Sequence, residues 1–114
     1  MKIISVKEEF EIIKLFKTES NIVLDFYADW CGPCKSLGAT IDSIGKDTFS
    51  DVTLIKIDVE KFANLARTYN VKSLPTLVLT HESPDSGERK VLKTKVGSLN
   101  KEGLESLIGD TYEK

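Results

Sequence analysis

Trp30-Cys31-Gly32-Pro33-Cys34 contains both cysteines of this 114-residue chain, two residues apart. Cysteines at that spacing can join each other or share a metal ion. As a structural staple the bond is poor, because closing a loop of about four residues constrains the unfolded chain by roughly 2 kcal/mol, against roughly 4.7 for a loop of about 100. A closed structural zinc site takes four ligands, and two Cys with one His would need carboxylates or a second chain to complete it. The pair therefore points to redox chemistry, in which one thiolate attacks a disulfide and the other releases the product. No bound metal or cofactor is expected.

The motif lies where an apolar strand pattern gives way to a helical one. Ile22-Val23-Leu24-Asp25-Phe26-Tyr27 fits a strand buried on both faces, and from Cys34 onward Leu37, Ile41 and Ile44 recur at helical spacing. A cysteine at the start of that helix faces unpaired N–H groups and the positive end of the helix dipole, and both favour a thiolate. Cys31 is thus the candidate nucleophile, and Cys34, one turn on, the candidate resolving thiol. Pro33 has its φ preset for a first helical turn, while Gly32 presents no side chain to an approaching disulfide.

A thiol buried in apolar surroundings gives up its proton reluctantly, so Cys34 calls for a base. Asp25 interrupts an otherwise apolar run, and an ionised carboxylate buried there is costly without a partner or a raised pKa. If the strand has one wet face, Asp25 is plain solvated charge. Lys56 interrupts the strand pattern Val52–Val59 in the same way, and alternation alone points it outward.

The rest of the chain supplies the elements that must hold these residues. Ile3 and Ile4 open a first strand, and Ser5 with Glu8 reads as a capping box before a helix carrying Phe10, Ile12, Ile13, Leu15 and Phe16. Phe62, Leu65, Ala66 and Tyr69 mark a third helix that ends near Asn70. Thr76–Thr80 and Val91–Val96 are strands joined by a long polar loop from His81 to Lys90, and Asn100 caps a last helix. Gly38 and Gly45 invite a bend or an early end in the second helix. The order β-α-β-α-β-α-β-β-α predicts an α/β fold in one domain over residues 1–114, with a mixed central sheet and helices on both faces.

Composition is that of an ordinary globular domain: 40% hydrophobic, 30% charged, net charge −2. Such a balance offers no basic field for nucleic acid. The first residues lack the apolar core of a signal peptide, and no stretch approaches a membrane span. A cytoplasmic monomer is expected, in which a disulfide is transient and catalytic.

Asp25-Phe26-Tyr27-Ala28-Asp29-Trp30, the Cys31-Gly32-Pro33-Cys34-Lys35 segment, Lys56, Leu74-Pro75-Thr76 and Lys95-Val96-Gly97 together resemble the thioredoxin family, over nearly the whole chain. The resemblance implies the thioredoxin fold and a protein-disulfide reductase that cycles through a mixed disulfide. It implies an exposed nucleophile at Cys31, a buried Cys34, and a proton relay at Asp25 tuned by Lys56. It also implies a cis Pro75 packed against the disulfide. Trp30, Gly32, Pro33, Leu74, Pro75, Val96 and Gly97 would form an apolar docking surface, with the Leu74 backbone pairing to an extended substrate segment. Partners would be disulfide-containing client proteins and an electron donor of the thioredoxin-reductase type; the same surface could also serve a binding module without turnover. With a nucleophile pKa near 7, the value thioredoxin has, the thiolate fraction at pH 7 rises about 15-fold over an ordinary thiol. Lost nucleophilicity cancels roughly fivefold of that, leaving a net gain of about threefold.

The chain departs from the family pattern in three places. Tyr27 stands where a tryptophan is usual, Gly38-Ala39 replaces a mid-helix proline, and the His81–Lys90 loop with Pro84 and Gly87 exceeds the usual tight turn.

Overall fold

The run around Asp25 leaves no polar edge for water, and it becomes the middle of the molecule. The computed structural model describes residues 1–83 and 85–113. Its elements are β1 (Lys2–Ser5), α1 (Glu9–Thr18), β2 (Asn21–Tyr27), α2 (Gly32–Asp42), β3 (Val52–Asp58), α3 (Ala63–Thr68), β4 (Thr76–Glu82), β5 (Arg89–Val96) and α4 (Lys101–Tyr112). One sheet holds the strands in the order β1-β3-β2-β4-β5. β1 and β2 run parallel to β3, and β4 is antiparallel to β2 and β5. This is the mixed sheet and element order expected from the pattern.

Strand parity sorts the core into two layers. Ile22, Leu24 and Phe26 of β2 pack with Ile12 of α1, Ala66 of α3 and Ile55 and Ile57 of β3. Val23 faces the other way, with Leu37 and Ile41 of α2, Leu104 and Ile108 of α4, and Leu54, Leu77 and Leu79. A period of two then assigns Asp25 to the α2/α4 face. The register extends that row sideways: Asp25 lies opposite Lys56 on β3 and Leu77 on β4, with Ser5 and Lys95 next in line.

The helix ends differ from expectation at one place. Ser5 belongs to β1, and α1 is capped three residues later, where a Glu11 carboxylate oxygen accepts from the N–H groups of Lys7 and Glu8, both at 2.9 Å. The ladder to β3 claims Ser5 as strand before it can act as a cap. Asn100 does cap α4, its side-chain oxygen accepting from Gly103 N–H at 2.8 Å. Asn70 stops α3 in the left-handed region at φ 57°, and Val71 N–H then donates to Ala66 O at 2.9 Å.

Without the mid-helix proline, α2 runs unbroken through Gly38 and ends at Asp42, before Gly45. A Cβ at Gly38 would meet nothing within 4 Å. Gly38→Ala is therefore expected to stabilise the protein by about 0.5–1 kcal/mol, read as a rise in Tm of roughly 2–6 °C by calorimetry. A fall in Tm would show that the site has less room than the structure gives it.

The loop expected from His81 to Lys90 is shorter than its polar sequence indicates, because backbone pairing extends β4 to Glu82 and starts β5 at Arg89. Ser83 N–H donates to Glu88 O at 2.9 Å and Gly87 N–H to Ser83 O at 2.8 Å; Pro84 lies outside the described residues. Arg89 anchors this end of the sheet, donating to Phe16 O, Glu19 O, Ser20 O and Thr80 Oγ1 and stacking 4.8 Å above the Phe16 ring. His81, the sole histidine, pairs through Nδ1 with Asn21 Oδ1 at 2.8 Å. The hairpin connection follows the far end of β4, away from the cysteines that lie near its start.

Candidate redox site

β2 ends at Tyr27 and α2 begins at Gly32, so the turn between them sets Cys31 at the N-cap of α2, in extended backbone at φ −89°, ψ 110°. Its Sγ accepts from Cys34 N–H at 3.2 Å. In this position a thiolate receives both a hydrogen bond and the positive end of the helix dipole. Pro33 occupies the first turn, where its missing N–H costs nothing. The two cysteines are joined as a disulfide with Cα atoms 5.2 Å apart, and both pack against Ala28, with Tyr27, Val59 and Leu74 around them.

Exposure does not separate the two thiols. Cys31 is 5% exposed and Cys34 7%, so the exposed nucleophile implied by the resemblance is corrected: with the disulfide formed, both cysteines are buried in one apolar cluster. What separates them is the side each one faces. Cys31 borders a groove of about 560 Å³ lined also by Trp30, Gly32, Pro33, Val59 and Leu74. Cys34 borders a second cleft with Asp25, Tyr27, Lys35, Gly38 and Lys56. One sulfur has access to an apolar surface, the other to an acid.

The strand reading of Asp25 holds: it is 4% exposed, and a solvated face is excluded. Burial raises its carboxyl from 3.8 to about 6, with Lys56 opposing part of the rise. Among the described residues its Oδ1 is buried with no hydrogen-bond partner. Lys56, expected to point outward, instead shares this cleft because it sits beside Asp25 on the same face of the sheet. Its ammonium lies 3.5 Å from Asp42 Oδ1 at the end of α2. Tyr27 lines the cleft as well, its hydroxyl pushed up by burial and by Asp58, Asp29 and Asp25.

Of the expected docking residues, the structure collects Trp30, Gly32, Pro33 and Leu74 around the groove. Trp30 is 71% exposed, so it is no core aromatic. The Leu74–Pro75 bond is cis, as the resemblance implies. Pro75, Val96 and Gly97 do not line the groove; they lie beside it, where Gly97 N–H donates to Pro75 O at 2.9 Å and Val96 pairs with Thr76. Gly97 has φ 97°, a conformation that disfavours any side chain. Among the described residues the N–H and C=O of Leu74 take no backbone partner.

Sequence reasoning missed residues here, among them Val59, Lys72 and Asp42. Val59 and Lys72 line the groove, and Asp42 holds Lys56. Val59 continues the β3 alternation and could have been found from it; a lone surface lysine or a helix-end aspartate carries no local signal.

Among the described residues no group of three or more His, Cys, Asp or Glu is placed to hold a metal ion, and no helix is long and apolar enough to cross a membrane. A thioredoxin family model matches residues 2–110. The chain is 31% identical over 112 residues to a thioredoxin of Buchnera aphidicola, covering 98% of each. In structure it resembles a thioredoxin variant of Halobacterium salinarum with a TM-score of 0.79 and 32% identity, covering 99% of this chain and 93% of that one. A thioredoxin of Nicotiana alata superposes with a TM-score of 0.80 at 29% identity, covering 96% of this chain and 92% of its own.

Proposed function

The chain belongs to the thioredoxin family and is a protein thiol-disulfide oxidoreductase, and we propose a division of labour among its residues that makes it a reductant of client disulfides. The observation that carries this reading is the two-sided disulfide, with Cys31 on the apolar groove and Cys34 on the Asp25 cleft.

In the reduced protein the Cys31 thiolate attacks one sulfur of a client disulfide. A mixed disulfide forms, and the client's other sulfur leaves as a thiolate that takes a proton from water. Asp25 then accepts the Cys34 proton, and the Cys34 thiolate attacks Cys31 Sγ. The second client sulfur leaves, the client has gained two electrons, and Cys31–Cys34 is oxidised. Lys56 moderates the basicity of Asp25, consistent with its place beside it in the register. Trp30, Gly32, Pro33 and Leu74 receive the client, Pro75, Val96 and Gly97 flank that contact, and the open Leu74 backbone groups offer it a β-pairing edge.

The cycle needs no bound cofactor, only an electron donor of the thioredoxin-reductase type to reopen the disulfide. We place this work in the cytoplasm, carried out by a monomer in which residues 1–114 act as one domain. The wild-type protein is expected to accelerate insulin reduction by dithiothreitol, followed as turbidity. No acceleration would overturn the catalytic reading in favour of a binding module without turnover.

A further inference from the structure

The groove beside Cys31 is lined by apolar and neutral residues with one exception, Lys72. Its backbone is held on both sides: Asn70 turns the chain at φ 57°, Val71 N–H is bonded to Ala66 O, and Ser73 O accepts from Thr76 Oγ1 at 2.6 Å. The side chain is exposed and, among the described residues, forms no salt bridge.

We propose that Lys72 is a specificity-determining residue, selecting client segments that carry an Asp or Glu within a few residues of the attacked cysteine. The inference rests on the docking reading above. Lys72 and Cys31 line the same groove, and Lys72 is the one charged residue there. A client segment docked with its sulfur over Cys31 therefore carries its neighbouring residues along the groove that Lys72 lines. The chain's net charge of −2 gives an acidic client no long-range attraction, so the selection is local and sensitive to salt.

The test uses the reduced full chain and two peptides, each with one cysteine as a mixed disulfide with 2-mercaptoethanol. They differ only in Glu or Lys two residues from that cysteine, and second-order reduction rates are read by stopped flow. Wild type is expected to reduce the Glu peptide about three- to tenfold faster at low salt. The ratio should approach one in about 1 M salt, approach one in Lys72→Met, and invert in Lys72→Glu. A wild-type ratio near one, or one that survives in Lys72→Glu, would overturn the proposal while leaving the oxidoreductase reading intact. Failure of every variant to reduce either peptide would overturn both.

Discussion

Cys34→Ser is expected to stop the cycle halfway, accumulating a one-to-one covalent adduct between Cys31 and the client while steady-state turnover falls at least about 10³-fold. The basis is positional. The net gain from an activated Cys31 is only about threefold, too little to make a fast exchange catalyst. Cys34 stands one helical turn away, with its N–H already bonded to Cys31 Sγ. Well-oriented intramolecular groups reach effective concentrations of about 10⁵ M or more, so even a small part of that advantage exceeds a millimolar external thiol by powers of ten. Cys31→Ser should abolish turnover with no adduct, since Cys34 faces the acidic cleft rather than the client groove. Mass spectrometry under non-reducing conditions reads both outcomes. A Cys34→Ser protein that turns over at the wild-type rate, or a Cys31→Ser protein that captures client through Cys34, would reverse the assigned order.

The second large effect is at Asp25, and it has opposite signs for stability and for rate. Its folded carboxyl titrates near 6 instead of 3.8 because burial penalises the charge. Between those values the folded state binds more protons than the unfolded one, so stability falls as pH rises through that window. Above it, holding the ionised carboxylate costs up to about 3 kcal/mol. Asp25→Asn should therefore be more stable than wild type by about 1–3 kcal/mol at pH 8, with the difference closing toward pH 4. Denaturant unfolding of the oxidised proteins across that range measures it. The same substitution should slow resolution of the mixed disulfide about 10²-fold or more, the usual share of a positioned base, and remove the rise in rate through pH 6. An unchanged resolution rate would mean that water serves Cys34. A stability difference independent of pH would mean that the gain comes from packing rather than charge.

Much of this was open to reading in the residue order because the signals are local. Ile22–Tyr27 reads as a strand buried on both faces, since its near-continuous apolar run shows no alternation, and only the burial of Asp25 closes the wet-face alternative. The Cys31–Cys34 pair had to sit at a helix start, since the periodicity changes there. Asn100 caps a helix through its own side chain. Where the reading failed, a partner distant in sequence decided the outcome. Ser5 was drawn into the ladder with Lys56, and the polar ends of the hairpin became strand by pairing with each other and through the reach of Arg89 across α1. Lys56 turned inward because register, not alternation within its own strand, says which face is the active one.

The redox chemistry, the order of elements and the placement of the two thiols at a helix start follow from residue types and short spacings, because thiolate activation and helix initiation depend on groups a few residues apart. Whether Asp25 was buried or solvated did not follow from them. Which sulfur meets the client and which meets the acid is a property of the folded molecule. It depends on how Val59 and Leu74, from two different parts of the chain, wall off one side of the disulfide. It depends equally on the sheet row that carries Asp25 and Lys56 to the other side. Those contacts span tens of residues, and only packing brings them together.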